Sequence, residues 1–408
     1  MGITQAEVDS VARDSLRWLL AQAITTDNGL AWPEIPGGEP DPSLYSGGPG
    51  IVPTLLEAYR HFGDDSFADA AVRAARDIAV TAPDDCSLYV GAAGTAFALA
   101  AVADVLDEPW ARTAADTVWA RVRDEFDGDV WNEFFELIAG NAGIVMAALR
   151  LGDVDMAERG VEHYVRTAEP TAHGVQWQGM TDIEARLHHI SHGTLGIAQA
   201  LVAVGQAAGR PDLIELALAG VADVVARDEA GPDGFLVPHS DPQHKPERIP
   251  RYSYGWCHGP AGDAQVFRQL AATTGDAAWT ALADRCWHTV VTSGLPQRLR
   301  PGFWDNNARC CGTAGVLAFA LDREVERGDG VEFAGVLVSD MLARATVDGD
   351  GARWSNYEYR VEPSTLEPHT GWAQGNAGIV RELLRYLRVT DGRDPHYAVA
   401  WPDHLPTA

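Results

Sequence analysis

Seven copies of a Gly-x-x-Gly pair recur along the chain, and each copy precedes an apolar run with helical spacing. Consecutive copies lie 44 to 66 residues apart between their second glycines, which leaves room for two helices in each interval. A single pair is weak evidence, but seven copies before similar segments predict a repeat architecture. The second glycines are Gly50, Gly94, Gly143, Gly196, Gly262, Gly315 and Gly378.

The segments between the copies are amphipathic. Residues 67–79 and 110–122, for example, carry apolar side chains on one helical face and charged side chains on the other. The segments after the glycines are apolar nearly all round, as is expected of buried helices. Each repeat is therefore predicted to contain an outer helix and an inner helix.

Glycine at the start of a helix has two uses. It allows close approach of the backbone, and it leaves helix N–H groups free to face whatever lies at that end. If seven inner helices run parallel around a closed ring, their N-terminal ends meet on one face, where a pocket would carry partial positive charge. The simpler alternative is that most of these glycines serve only tight packing.

Composition excludes several classes of protein. Hydrophobic residues make up 46% of the 408 residues, which is ample for a buried core. The formal net charge of −27 disfavours nucleic acid as a partner, because a phosphate backbone is recognised by clustered Lys and Arg. The N-terminus lacks a cationic apolar leader, so we expect a cytoplasmic protein. The five cysteines are then expected to be reduced thiols or metal ligands instead of disulfides.

The longest stretch without Asp, Glu, Lys or Arg covers residues 188–209. It is long enough to span a membrane, but it carries His188, His189 and His192 together with other polar residues. We therefore expect a core helix with its lead-in loop, and no membrane span.

The two residues before each glycine pair, which we call the mouth pair, differ from copy to copy. Zinc favours thiolate and imidazole ligands, and a catalytic zinc site keeps three protein ligands and one open position. Cys257, Cys310 and Cys311 belong to the mouth pairs of adjacent repeats, so they are predicted to meet and bind zinc. The mouth pairs in chain order are Tyr45-Ser46, Tyr89-Val90, Ile138-Ala139, Ser191-His192, Cys257-His258, Cys310-Cys311 and Ala373-Gln374.

Buried free cysteines are common in protein cores and are the alternative for these three residues. Cys86 precedes a mouth pair without belonging to it, and Cys286 falls in a predicted outer helix. Both are expected to be ordinary buried thiols.

The motifs Trp256-Cys257-His258-Gly259, Cys310-Cys311-Gly312 and Ser191-His192-Gly193, with the repeated glycine pairs, resemble the lanthionine synthetase C-like cyclases, the LanC and LanC-like proteins. The resemblance covers about residues 40–390. It implies an all-α fold, an (α/α)7 toroid of seven inner and seven outer helices, formed as a single domain over residues 1–408. It also implies one zinc ion, and the addition of a peptide cysteine thiol to dehydroalanine or dehydrobutyrine to make a thioether ring.

The resemblance assigns metal ligands residue by residue. Cys257 matches the family's first zinc ligand and Cys310 the second, whereas Cys311 stands where the family usually has a histidine. Three thiolates on a divalent cation leave the site at a charge of −1, and a bound substrate thiolate takes it to −2. Such a zinc is expected to leave the substrate sulfur more nucleophilic.

Other residues carry expected roles in the same reaction, in which the enolate must be stabilised and then protonated at carbon. His192 matches the family's active-site histidine and is the predicted general acid or base. His258 is predicted to donate to the enolate oxygen or to line the pocket. Glu136 stands where several family members carry an acidic active-site residue, a match of type and not of identity, and the alternative is an ordinary carboxylate at the approach to a helix. With Arg251, which is discussed next, the predicted catalytic residues are His192, His258, Glu136 and Arg251.

The match of Arg251 is the weakest, because family members often carry an arginine four residues before the first zinc cysteine and this chain has Ser253 there. Arg309 is an alternative cation near the metal. Five tryptophans near the mouth pairs are expected either to line a peptide groove or to serve packing. They are Trp131, Trp177, Trp256, Trp304 and Trp372.

The function that follows is a free-standing, zinc-dependent cyclase acting on a dehydrated precursor peptide, with dehydration done by a separate dehydratase or kinase/lyase partner. One alternative is a related enzyme that adds glutathione or another small thiol to dehydroamino acids in proteins. A second is a zinc-binding scaffold that presents a peptide without catalysis. Prenyltransferase subunits and glycosidases with α/α toroids are more distant alternatives at the level of the fold.

Overall fold

The computed structural model describes residues 3–297, 306–356 and 365–404. Within these ranges the chain forms fourteen α-helices, all between 10 and 17 residues long. In chain order they are α1 (Gln5–Ala21), α2 (Gly48–Phe62), α3 (Asp65–Thr81), α4 (Ala92–Leu106), α5 (Pro109–Asp124), α6 (Asn141–Arg150), α7 (Val154–Thr167), α8 (Thr194–Ala208), α9 (Pro211–Val225), α10 (Pro260–Thr274), α11 (Ala277–Thr292), α12 (Thr313–Arg327), α13 (Glu332–Arg344) and α14 (Asn376–Thr390).

Short antiparallel strand pairs occur in the loops, each with two or three residues per strand. They are β1 (Ile24–Thr25) with β2 (Leu30–Ala31), β3 (Glu169–Pro170) with β4 (Val175–Gln176), β5 (Arg186–Leu187) with β6 (Ser240–Asp241), and β7 (Thr346–Asp348) with β8 (Gly351–Arg353).

The even-numbered helices are the predicted inner helices. Each begins at the residue directly after the first glycine of a pair, as Thr194 follows Gly193 in α8. Their burial also separates them from the odd-numbered helices, because α8 buries 11 of its 15 residues whereas α3 buries 7 of its 17. Largely buried helices and one-sided amphipathic helices therefore alternate along the chain, as the hydrophobic pattern predicts.

The two helix types also begin differently. Several outer helices are capped by a side chain, such as Asp64 before α3, Asp153 before α7 and Asp276 before α11. The inner helices α2, α6, α8, α10, α12 and α14 have glycine at the cap position, so the cap residue offers no side chain to their first turn.

Lead-in loops supply the partners for the inner-helix N–H groups. The N–H of Ala92 donates to the carbonyl of Asp85 at 2.7 Å, and that of Asn376 donates to His369 at 2.9 Å, seven residues earlier in both cases. Gly48, Asn141, Thr313 and Ala377 repeat this spacing. The expectation that these N–H groups face a pocket is therefore wrong for these helices, because the loop folds back and uses them.

The second glycines are required for space. A Cβ added at Gly50 would collide with the carbonyl oxygen of Leu44, six residues earlier, and the same collision recurs at Gly143, Gly196, Gly262 and Gly378. The Cβ at Gly262 would also stand 2.7 Å from Cγ2 of Ile190, a residue of the preceding repeat. These glycines serve tight packing of loop against helix, which is the simpler of the two sequence interpretations.

The described residues fall into two compact units, each built from three stretches of chain. The first comprises Met1–Pro83, Gly94–Val118 and Gly294–Ala400, without its undescribed residues. Within it α12 packs against α14, and α14 packs against α2, so the last inner helix is a neighbour of the first. Three inner helices of this unit have an outer partner: α3 packs against α2, α13 against α12 and α1 against α14.

The second unit comprises Asp84–Ala93, Trp119–Ser293 and Trp401–Ala408, again without its undescribed residues. Its inner helices α6, α8 and α10 pack in sequence order, and α7, α9 and α11 cover them. The uncharged stretch at residues 188–209 forms a loop followed by α8, which confirms the predicted core helix. In the part of the chain that is described, no helix combines the length and apolar character needed to cross a membrane.

Candidate active site

Backbone hydrogen bonds join the mouth pairs of consecutive repeats. In the first unit the N–H of Cys310 donates to the carbonyl of Ala373, and the N–H of Ala373 donates to the carbonyl of Tyr45, both at 2.9 Å. In the second unit the N–H of Tyr89 donates to Ile138 at 3.0 Å, and that of Ser191 donates to Cys257 at 3.3 Å. These hydrogen bonds join equivalent loops of different repeats. They bring together residues that are far apart in the sequence.

The three predicted metal ligands come together. Cys257, Cys310 and Cys311 are only 2–3% exposed. Their sulfur atoms lie within 4.8 Å of one another, and those of Cys310 and Cys311 are 3.2 Å apart. Among the described residues no other trio of His, Cys, Asp or Glu forms such a group. Three buried cysteine sulfurs can serve as zinc ligands. They fit the tetrahedral preference of zinc and leave its fourth position open.

Two polar side chains from neighbouring mouth pairs contact these sulfurs. The hydroxyl of Tyr45 donates to Sγ of Cys310 at 3.5 Å. The Nε2 of Gln374 donates to Sγ of Cys311 at 3.5 Å and to the Tyr45 hydroxyl at 2.9 Å. Burial, reinforced by the charge of Cys310, raises the pKa of Tyr45 well above its usual value, so its hydroxyl keeps the proton that it donates.

Glu136 and His192 form a pair between the third and fourth repeats. The Glu136 carboxylate is 1% exposed and accepts hydrogen bonds from the N–H groups of Ile138 at 2.9 Å and Ala139 at 2.6 Å. It also bonds to Nδ1 of His192. With two peptide N–H groups donating to the carboxylate, its contact with the ring is completed when Nδ1 is the donor. The contact with Glu136 therefore fixes the orientation of the His192 ring.

His258 packs face to face with His192, with ring centroids 5.4 Å apart, and lies 4.1 Å from the ring of His239. Burial, helped by the neighbouring His239, lowers the pKa of His258 well below its usual value, so this imidazole stays neutral. His239 was not predicted, because it lies in a long loop with no glycine pair to mark it. Burial also lowers the pKa of His239, to about 3.

The structure places the two candidate arginines differently. The Arg251 side chain is 51% exposed and forms an ion pair with Glu229. Arg309 is 3% exposed, and its Nε donates to Oε1 of Glu382 at 3.2 Å. The Arg309 guanidinium also lies 5.5 Å from the ring centroid of Trp372. Of the two, Arg309 is the one held inside the protein beside the cysteine-bearing loop.

A second carboxylate–histidine pair was missed. Nδ1 of His189 lies 2.9 Å from both carboxylate oxygens of Asp263, and both side chains are fully buried. Burial raises the pKa of Asp263, while the neighbouring His189 opposes that shift. The sequence signal was available, since His189 precedes one mouth pair and Asp263 follows the second glycine of the next repeat.

The remaining predictions concern cysteines and tryptophans outside the three-cysteine group. Cys86 and Cys286 are buried, and burial raises the pKa of Cys86 to about 11. Trp177, Trp256 and Trp372 are at most 2% exposed, which favours packing over a peptide groove. Trp131 is half-buried. Trp304 lies outside the described residues.

Solved structures identify the class of fold. The chain is similar to nisin cyclase with a TM-score of 0.62 and 15% identity, over 94% of each chain. It is also similar to a sugar epimerase from a ruminal bacterium, with a TM-score of 0.54 and 13% identity over 96% of this chain and all of the other. The cellobiose 2-epimerase of Spirochaeta thermophila gives 0.51 and 14% over 95% and 96%. These likenesses show the fold, which is the predicted α/α toroid.

The family model for "lanthionine synthetase C-like protein" matches residues 38–242 and 243–333. The chain therefore belongs to the lanthionine synthetase C-like family. No protein with a curated description matches the sequence.

Proposed function

We propose that this chain is a zinc-dependent cyclase that adds peptide cysteine thiols to dehydroalanine or dehydrobutyrine. The observation that carries the proposal is the group of three buried cysteine sulfurs within 4.8 Å of one another. Cys257, Cys310 and Cys311 would hold the zinc ion. When bound, zinc supplies a Lewis acid that lowers the pKa of a substrate thiol and keeps its sulfur available as a thiolate.

The reaction is an addition, so all atoms of both reactants are retained. The thiol sulfur forms a bond to the β-carbon of the dehydroamino acid, the double bond becomes an enolate, and the α-carbon finally takes a proton. His192 is suited to move these protons, because an imidazole can both accept and return a proton and the contact with Glu136 holds its ring in one orientation. Its side chain is 29% exposed, so substrate can reach it.

His258 would stabilise the enolate while its own imidazole ring stays neutral. Its neutral ring is stacked on His192 and can donate one hydrogen bond to the enolate oxygen as charge develops there. Arg251 is exposed and paired with Glu229, so we assign it no step in bond formation.

The substrate of this proposal is a dehydrated precursor peptide. A separate dehydratase or kinase/lyase would dehydrate its Ser or Thr residues. The net charge of −27 would favour a cationic substrate or partner. We place this reaction in the cytoplasm, where thiols stay reduced.

Metal analysis and one peptide assay test the proposal. Protein purified without chelator should contain one zinc per chain, and Cys311→Ala should lose both the zinc and ring formation. Cys86→Ala is the matched control and should keep both. Equal loss in the two variants would refute the assignment of the ligands.

The assay incubates a dehydrated, cysteine-containing peptide with the protein, alkylates the remaining thiols and counts them by mass spectrometry. The expected result is a peptide that keeps its mass during the incubation and has fewer thiols left to alkylate afterwards. If all thiols of the peptide remain open to alkylation, the protein would be a scaffold that binds the peptide without catalysis. A mass increase of one glutathione, when glutathione is added, would indicate the small-thiol enzyme.

A further inference from the structure

The sulfurs of Cys310 and Cys311 are approached by the mouth pairs of the two repeats that follow in the first unit. Tyr45 is the first residue of its mouth pair, and Gln374 is the second residue of its own. They therefore occupy the loop positions that Cys310 and Cys311 occupy in the sixth repeat. The loop conformation that positions the two cysteines therefore also positions Tyr45 and Gln374 next to their sulfur atoms.

The Tyr45 hydroxyl is oriented by the bonds around it. Its oxygen accepts a hydrogen bond from Nε2 of Gln374 at 2.9 Å, and Sγ of Cys310 lies 3.5 Å away. Because the oxygen already accepts from an amide, its own proton is available for the sulfur. Tyr45 is thus a donor to one of the three sulfurs.

The Gln374 amide is oriented in the same way. Nδ2 of Asn306 donates to its Oε1 at 3.3 Å, and Nδ2 of Asn356 donates to the main-chain carbonyl of Gln374 at 2.8 Å. With Oε1 satisfied by Asn306, the NH2 group is the end that faces Tyr45 and Cys311. Gln374 is a donor to a second sulfur.

A site of three thiolates has a consequence that a site of two thiolates and one imidazole lacks. It carries a net charge of −1 with a divalent cation, and part of that charge resides on buried sulfur atoms. Hydrogen bonds to an ionised acceptor are stronger than those between neutral groups, so donors at this position stabilise the thiolates considerably. Donors around a metal's ligands also tune the metal itself.

We propose that Tyr45 and Gln374 are positioning residues that donate hydrogen bonds to the thiolates of Cys310 and Cys311 and thereby set the electron density of the three-sulfur metal site. This inference rests on the proposed function in one respect, namely that the three cysteines hold a metal. It assigns to the first and last repeats a role in the chemistry of the sixth.

Cobalt(II) is the probe, because its bands of thiolate-to-metal charge transfer report the electron density on sulfur. Metal-free protein of full length is titrated with cobalt, and zinc affinity is then measured by competition with a chelator. The variants are Tyr45→Phe and Gln374→Leu. Tyr164→Phe is the matched control, since it also removes a tyrosine hydroxyl, but one that donates to the carbonyl of Phe135 at 2.7 Å.

The expected result is that the charge-transfer bands of Tyr45→Phe and Gln374→Leu move to lower energy and that zinc affinity falls about 10- to 100-fold. Tyr164→Phe should leave bands and affinity as in the parent. Bands and affinity of both Tyr45→Phe and Gln374→Leu equal to those of the parent would overturn the inference. A parent protein without thiolate bands would refute the metal site itself, which separates failure of the proposed function from failure of this inference.

Discussion

Glu136 bonds to Nδ1 of His192 although the two residues are 56 positions apart in the sequence. Their mouth loops are adjacent because the N–H of Leu137 donates to the carbonyl of Ser191 at 3.1 Å. Peptide N–H groups of its own loop hold the Glu136 carboxylate in place. The carboxylate in turn orients the imidazole ring of His192. This arrangement makes the proton on Nδ1 a property of the fold.

Glu136→Gln is expected to lower the rate of ring formation about 10- to 100-fold, a part of what acid–base catalysis contributes. The amide keeps the shape of the side chain but can present its NH2 group to Nδ1, which removes the preference for the proton on that atom. Zinc content should not change. Glu133→Gln, at an exposed position of the same loop, is the control and should retain full activity. Equal rates in the two variants would contradict the orienting role.

His192→Asn separates metal binding from proton transfer. We expect this variant to bind one zinc and to lose about 10²- to 10⁴-fold in the cyclisation rate. The measurement pairs elemental analysis with the thiol-counting assay on one sample. A variant that keeps the parent rate would remove His192 from the mechanism, whereas loss of zinc would place it among the metal ligands.

Burial lowers the pKa of His188 to about 3, and this shift predicts a pH-dependent stability. The unfolded chain binds a proton at this histidine below about pH 6.5, whereas the folded protein does not until about pH 3. The free energy of unfolding therefore falls as the pH drops from 6.5 toward 3, by up to about 1.4 kcal/mol per pH unit from this residue.

Urea unfolding at pH 7 and pH 5 measures this contribution. His188→Leu should show a smaller loss of stability between the two pH values than the parent. His173→Leu, at an exposed turn position, should behave as the parent does. An identical pH dependence in all three proteins would show that His188 is protonated in the folded state.

Gly262→Ala is expected to destabilise the protein by about 1–3 kcal/mol or more, since overpacking of a tight contact has this cost. The added methyl group would collide with the carbonyl of Trp256 and lie 2.7 Å from Cγ2 of Ile190. Gly349→Ala is the control, because no atom lies within 4 Å of its added Cβ. Thermal unfolding of the two variants should differ clearly, and similar midpoints would argue against the packing role of the second glycines.

Much of the fold could be predicted because its signal is periodic. The glycine pairs locate the starts of the inner helices, as at Thr194 and Asn376, and hydrophobic patterning separates inner from outer helices. The grouping of Cys257 with Cys310 and Cys311 follows from their equivalent places in the repeat. The prediction that helix N–H groups face a pocket failed because it ignored the lead-in loop as a competing acceptor.

Other contacts of the site could not be predicted, because they depend on which side chains meet when loops of different length are stacked. His239 belongs to a long loop whose path no repeat constrains, yet its ring lies 4.1 Å from that of His258. Tyr45 and Gln374 were visible in the sequence as members of mouth pairs. Their contacts with sulfur depend on the packing of the last repeat beside the first, which no local sequence pattern indicates.

Each lead-in loop is closed on its helix by backbone atoms, through carbonyls that accept from the first N–H groups and through glycines that leave room for the chain. These backbone contacts recur although the side chains of the mouth pairs differ from repeat to repeat. The same frame carries Tyr-Val, Ile-Ala and Cys-Cys in different repeats. One backbone pattern therefore presents different side chains at the same place in successive repeats, and substitution of two residues is enough to change the chemical groups that a repeat presents there.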